Sequence, residues 1–261
     1  MFMPQSIDFC LKVLFNAEQL IALGNKEFPG KRFPGPKKNI IESLKNEGIT
    51  VEQIRNFCRD NNPPTNTDLI KTVLRSGKLN GHSWEKAMPS NLHLSIQNLV
   101  RACFAGEMNI DNYLEKGNNI IKHEFFITAI HDLMVQAIVD NFDDIIPSIT
   151  SRGTIDFVSD ANPYDLKITP PIKGWTYGRA KATPIDFAKS LYEGADTERI
   201  RKSAEDAEEF NRLYVVYDDA VIWTNPEVAE TKVIEAFSRR PAPFTLDIDG
   251  KQIKVLVLFL N

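Results

Sequence analysis

Between Lys254 and Leu260 the chain reads Lys-Val-Leu-Val-Leu-Phe-Leu, and this unbroken apolar run limits the fold more than any other feature. A strand points successive side chains to opposite faces, so apolar residues at every position require cover on both faces. Leu213-Tyr214-Val215-Val216-Tyr217 is a second run of this kind. Helical patterns alternate with these strands: Pro184 to Tyr192, Glu198 to Phe210 and Glu227 to Phe237. Buried strands alternating with helices predict an α/β chain with a mixed sheet flanked by helices.

The N-terminal half reads differently, as helices broken by turns. Ser6 caps a helix expected to run to Leu23, with Phe9, Val13, Leu20 and Leu23 on its apolar side and Gly24-Asn25 as its stop. Three shorter helices follow over Asn39–Asn46, Val51–Arg59 with Thr50 as cap, and Asp68–Arg75 with Thr67 as cap. With Arg55, Arg59, Lys71 and Arg75 exposed, these three read either as a groove-reading helix-turn-helix or as a plain helical subdomain. The Pro- and Gly-rich stretch Phe28–Lys38 is a loop carrying Lys31, Arg32, Lys37 and Lys38, either a solvated linker or an arm that contacts phosphates. Further helices are expected from Ser90 to Ala105 and from Asp111 to Asp140. In the second, Ile121, Phe125, Ala129, Leu133 and Ala137 recur at helical spacing and must face a core. His123 and His131, eight residues apart, read as surface or capping groups rather than metal ligands.

The net charge of −4 is unevenly distributed, +4 over residues 1–110 and −8 over 111–261. This division suits a basic half that meets phosphates and an acidic half that holds cations, although ordinary surface fluctuation reaches the same size. No run approaches the roughly 18 apolar residues of a membrane span. The N-terminus lacks the pattern of a signal peptide, so a cytoplasmic protein is expected. Cys10, Cys58 and Cys103 are widely spaced and odd in number, which predicts buried apolar thiols rather than disulfides or a zinc site. No Gly-rich phosphate loop opens a helix, so no nucleotide cofactor is expected.

Chemistry concentrates in Thr154-Ile155-Asp156-Phe157-Val158 and Tyr164-Asp165-Leu166-Lys167-Ile168-Thr169. The intervening Ser159-Asp160-Ala161-Asn162-Pro163 has turn composition, which folds the second run back on the first as a hairpin and brings Asp156 close to Asp165. Alternation places Asp165 and Lys167 on one face and Leu166 on the other. Two carboxylates and an ammonium at strand ends are a minimal kit for holding Mg²⁺ and activating water against a phosphodiester.

This arrangement resembles the PD-(D/E)xK nuclease superfamily, which includes many type II restriction endonucleases. Asp156 matches the first acidic position, Asp165 the second and Lys167 the lysine; Ile155 stands where the motif carries proline. The resemblance spans His123 to Tyr217 and implies a catalytic hairpin followed by helix and buried strand. It also implies Mg²⁺ held by Asp156, Asp165 and the backbone carbonyl of Leu166, with Lys167 offsetting charge at phosphorus and Glu124, on the preceding helix, as a further catalytic carboxylate. On that reading residues 1–110 form a helical, basic, DNA-contacting subdomain and 111–261 the α/β nuclease core. Arg152, Lys173, Arg179, Lys181, Lys31 and Arg32 are the candidate DNA contacts, to bases or to phosphates. The expected activity is sequence-specific cleavage of double-stranded DNA by a homodimer, since cutting both strands of a palindrome calls for two related sites. A repair nuclease of the same fold and a non-catalytic DNA-binding or interaction protein are the alternatives.

Overall fold

The computed structural model describes residues 7–62, 65, 67–76, 111, 128–149, 155–160, 162–193, 200 and 210–260. The chain divides into two compact units. One comprises Met1–Thr65, Val135–Asp218 and Glu230–Asn261; the other comprises Asn66–Met134 and Asp219–Ala229. The expected domain boundary near residue 110, the expected helix over Ser90–Ala105 and, apart from Ile200 and Phe210, the expected helix over Glu198–Phe210 lie outside the described residues.

The larger unit is built on a six-stranded mixed sheet. In chain order the strands are β1 (Ile146–Pro147), β2 (Phe157–Ser159), β3 (Asn162–Thr169), β4 (Arg212–Tyr217), β5 (Phe244–Ile248) and β6 (Lys251–Leu260), and in space they lie β1-β2-β3-β4-β6-β5. β1, β2 and β3 are antiparallel, β3, β4 and β6 run parallel, and β5 returns antiparallel to β6. The two apolar runs are therefore the central parallel strands. Leu213, Val215, Val216, Val255, Leu256, Val257 and Leu258 are all buried, as cover on both faces demands. Asp249 (φ 52°) and Gly250 (φ 80°) form the tight β5–β6 turn, whose left-handed backbone suits an Asp-Gly pair.

Helices α1 (Ile7–Leu14), α2 (Ala17–Glu27), α3 (Lys37–Asn46) and α4 (Val51–Asn61) share one apolar core with Ile146, Ile149 and Val158 of the β1–β2 region. The single helix expected from Ser6 to Leu23 is two. Asn16 breaks it, its side chain accepting from the Gln19 amide while the Gln19 side chain accepts from the Asn16 amide, a capping box that starts a new helix. Nor does the second helix stop at Gly24, which is buried inside α2. A Cβ there would lie 2.5 Å from the Phe33 ring, so glycine serves close packing and not termination. Thr50 and Gln53 form the same reciprocal cap at the start of α4.

The helix of residues 128–141, α6, buries Ala129, Leu133 and Ala137, the described part of the expected apolar stripe. Within the larger unit Arg59 Nη2 donates to the carbonyls of Val139 (3.2 Å), Phe142 (2.8 Å) and Ile145 (3.3 Å), at and just beyond the C-terminal end of α6. Arg59 is thus half-buried and committed to backbone, which corrects its expected place among exposed groove-reading cations. Helices α7 (Tyr177–Ala182) and α8 (Pro184–Tyr192) lie between β3 and β4 in sequence and share a core with Tyr214, Val216, Val255 and Val257. Helix α9 (Pro226–Ser238) precedes β5, and its Phe237 packs on Phe142 and Phe157. In the smaller unit α5 (Thr67–Ser76) and the 3₁₀ turn Ala220–Thr224 bury Leu74 and Trp223, and Arg75 pairs with Glu227. Cys10 and Cys58 are free and buried, and burial pushes the Cys10 thiol up to about 11.

Candidate active site

The β2–β3 hairpin places the acidic residues by its register. Phe157 pairs with Tyr164 and Ser159 with Asn162, and Asp160 at the tip takes a left-handed φ of 48° that aspartate tolerates in tight turns. Asp156 falls one residue before β2. Its amide donates to the Tyr164 carbonyl and its carbonyl accepts from the Ser148 amide, both at 2.9 Å, so its backbone is fixed from two sides.

Alternation along β3 then brings the two carboxylates together. The Asp165 amide turns toward β4, donating to the Asn211 carbonyl at 3.2 Å. The next residue must turn the other way. The Leu166 amide accordingly donates to Asp156 Oδ2 at 2.7 Å. A residue's N–H and C=O share one edge of a strand, so the Leu166 carbonyl faces the side where Asp156 sits. One carboxylate oxygen of Asp156 lies within 4.8 Å of one of Asp165.

Asp165 is buried, 6% exposed, and both of its oxygens face cations. Lys167 Nζ stands 2.8 Å from Oδ1, which puts the two side chains on one face of β3, while the Leu166 side chain is fully buried on the other. Arg212 Nε stands 3.4 Å from Oδ2; its side chain is almost wholly buried, and Nη1 donates to the Asn211 carbonyl. Burial pushes the Asp165 carboxyl above the usual carboxylate range. The Arg212 and Lys167 charges pull it back, and Asp156 pushes it up again.

Arg212 is the member of this cluster that the sequence reading missed. It opens β4 directly opposite Asp165 in the parallel register. An arginine at the head of an otherwise apolar strand is a visible signal, because a buried guanidinium needs an anion or several carbonyls. Its partner is set by strand order, which sequence does not spell out.

No family model, curated protein or solved structure matches this chain. What the site can do therefore rests on its donors. Two carboxylates within 4.8 Å of each other and a carbonyl on the same edge form a hard oxygen set of the kind Mg²⁺ accepts. The upward pressure on Asp165 from burial and from Asp156 is what a divalent cation would relieve, so the residues fit such an ion.

The other expected site residues divide into three groups. Glu124 and Arg152 lie outside the described residues. Lys173, Arg179 and Lys181 are exposed on the segment leaving the C-terminal end of β3, which lies about 13 Å along the strand from Asp165. Arg179 is held in place: its guanidinium stacks 4.3 Å over the Trp175 ring and Nη1 donates to the Gly174 carbonyl at 3.0 Å. Lys31 and Arg32 are exposed in the α2–α3 loop, with Lys31 3.1 Å from Glu47. His131, in the smaller unit, is half-buried with Nδ1 3.1 Å from Asp132 Oδ1. Among the described residues no helix is long and apolar enough to cross a membrane.

Proposed function

We propose that this chain is a Mg²⁺-dependent endonuclease of double-stranded DNA, with a PD-(D/E)xK-type site and the homodimeric, sequence-specific habit of a type II restriction enzyme. The observation that carries the reading is the convergence of the Asp156 and Asp165 carboxylates through the Leu166 amide, with Lys167 on the Asp165 face. Asp156, Asp165 and the Leu166 carbonyl would hold the ion, which when bound supplies a water of lowered pKa and positive charge beside the phosphate. Lys167, half-exposed, offsets negative charge on the scissile phosphate and orients the attacking water. The Leu166 amide fixes the Asp156 carboxylate, so that ligand needs no rearrangement when the ion enters. Arg179 on Trp175 offers a pre-set guanidinium fork to phosphate or guanine, and exposed Lys173 and Lys181 extend the cationic stretch.

One observation favours a second reading. Both oxygens of Asp165 already face cations, as in a structural ion cluster, and the chain would then be a non-catalytic DNA-binding or interaction protein. A single experiment separates the two. Long, sequence-diverse duplex DNA is incubated with the protein plus Mg²⁺ or EDTA, alongside Asp156→Asn and Asp165→Asn, amides that conserve volume beside Arg212. The nuclease reading expects discrete fragments only with Mg²⁺ and a loss of about 10³-fold or more in each variant, assayed at a temperature where each stays folded, with Asp156→Asn keeping the wild-type thermal stability. DNA left intact by the wild type, or cut equally by the variants, rejects it. Cleavage without a fixed site would instead indicate a repair nuclease.

A further inference from the structure

Among the described residues, the strand β6 (Lys251–Leu260) pairs with β4 and β5 over two stretches that overlap only at Val255. Against β4 its pairing runs from Val255 to Leu260, but against β5 it ends at Phe244 opposite Val255. Pro241-Ala242-Pro243 precedes Phe244 and is not part of the ladder. Which β6 groups are left follows from alternation. The Lys254 amide donates to Asn211 Oδ1 on the β4 side at 2.7 Å, so the amides and carbonyls of Val257 and Phe259 face the opposite, unpaired side.

Val257, Leu258 and Phe259 of this edge line a cleft of about 560 Å³, within the range of sites that take ligands. Its apolar walls include Pro184 and Ile185 of α8, Ala236 of α9, and Phe244. Ile185 is 47% exposed, one of only three large apolar side chains so exposed among the described residues. Among the described residues the lining also includes Lys181, Lys232, Arg239 and Glu235, the last two 3.3 Å apart.

We propose that this cleft takes an extended peptide segment of a partner protein, carrying alternating apolar and acidic residues, which adds to β6 as a short extra strand. The Val257 and Phe259 backbone groups supply the ladder, the apolar walls receive one face of the peptide, and the lining cations select acidic residues on the other. A second copy of this chain fits less well, because Pro184, Ile185 and Ala236 flank the edge and another sheet would have to clear them. The site does not draw on the hairpin, and of the proposed DNA contacts it shares Lys181 alone.

The test uses the full chain and a fluorescein-labelled octapeptide of alternating valine and glutamate, followed by fluorescence anisotropy. Saturable binding with Kd in the range of about 1–100 μM is expected. Binding should weaken about tenfold or more when alternate peptide amides are N-methylated in the register that faces β6, when lysine replaces glutamate, and in Ile185→Asp. Amide exchange at Val257 and Phe259 should slow in the wild-type complex, a readout independent of how any variant folds. Absence of saturable binding overturns the proposal, as does binding indifferent to N-methylation in either register or without protection of those two amides.

Discussion

Arg59 and Arg212 are both withdrawn from full solvent exposure, and the molecule neutralises them by opposite means. Arg59 meets three backbone carbonyls, at and just beyond the end of α6, where the helix dipole and unpaired acceptors favour a cation. Arg212 meets a carboxylate that is itself buried and shared with Lys167 beside Asp156. Carbonyls fix position and nothing more. A carboxylate partner makes a unit whose charge changes with protonation and can be contested by another cation, and for that reason the second arrangement belongs to a candidate active site and the first to the scaffold.

The largest effect expected from this contrast is that of Arg212→Met, which leaves Asp165 buried with one half-exposed partner. The loss should be about 3–5 kcal/mol in urea unfolding, and the double variant Arg212→Met/Asp165→Leu should recover much of it. Simple addition of the two single losses would show that the pair is not coupled. Arg59→Met should cost less, about 2 kcal/mol, since the carbonyls it leaves can be partly rehydrated. Equal losses would erase the distinction drawn here. The smallest and most discriminating effect is that of pH. Burial raises the Asp165 pKa, so as pH falls the folded chain takes up this proton before the unfolded chain does. The resulting stabilisation is present in acid and is lost as pH rises through the folded pKa. Removing Arg212 raises that pKa further. The Arg212→Met penalty should therefore be full at neutral pH and shrink as pH falls through the Asp165 pKa, while the Arg59→Met penalty stays flat, because carbonyls do not titrate. Unfolding midpoints of both variants against wild type, from neutral pH downward, decide this.

Much of the architecture was legible because it is local. Unbroken apolar runs located the central strands, the turn composition of Ser159–Pro163 located the hairpin, and alternation put Asp165 and Lys167 on one face. Pro184–Tyr192 is a helix over just the expected residues, and Thr50 caps its helix as expected. The break at Asn16 was also written locally, as Asn followed three residues later by Gln, but the continuing apolar pattern masked it. Gly24 read as a stop because glycine usually ends helices; its packing against Phe33 depends on a loop that returns from nine residues ahead. Arg212 and the open stretch of β6 were beyond sequence reading for a deeper reason. Both depend on which strand lies beside which and where a pairing ends.

The order in which the chain leaves the ribosome bears on the hairpin. Asp156 is tied to the Leu166 amide, next to Asp165, by a contact spanning ten residues, whereas Arg212 must cross from beyond α7 and α8 to lie beside Asp165. Contacts of short span close early and those across a crossover close late. The two carboxylates thus come together first, with Lys167 as their nearby counter-charge, and the buried half of the cluster is neutralised only when β4 docks. Docking of β4 and completion of the site are then one event, and a chain stalled before Arg212 carries the acidic residues without the guanidinium that faces buried Asp165.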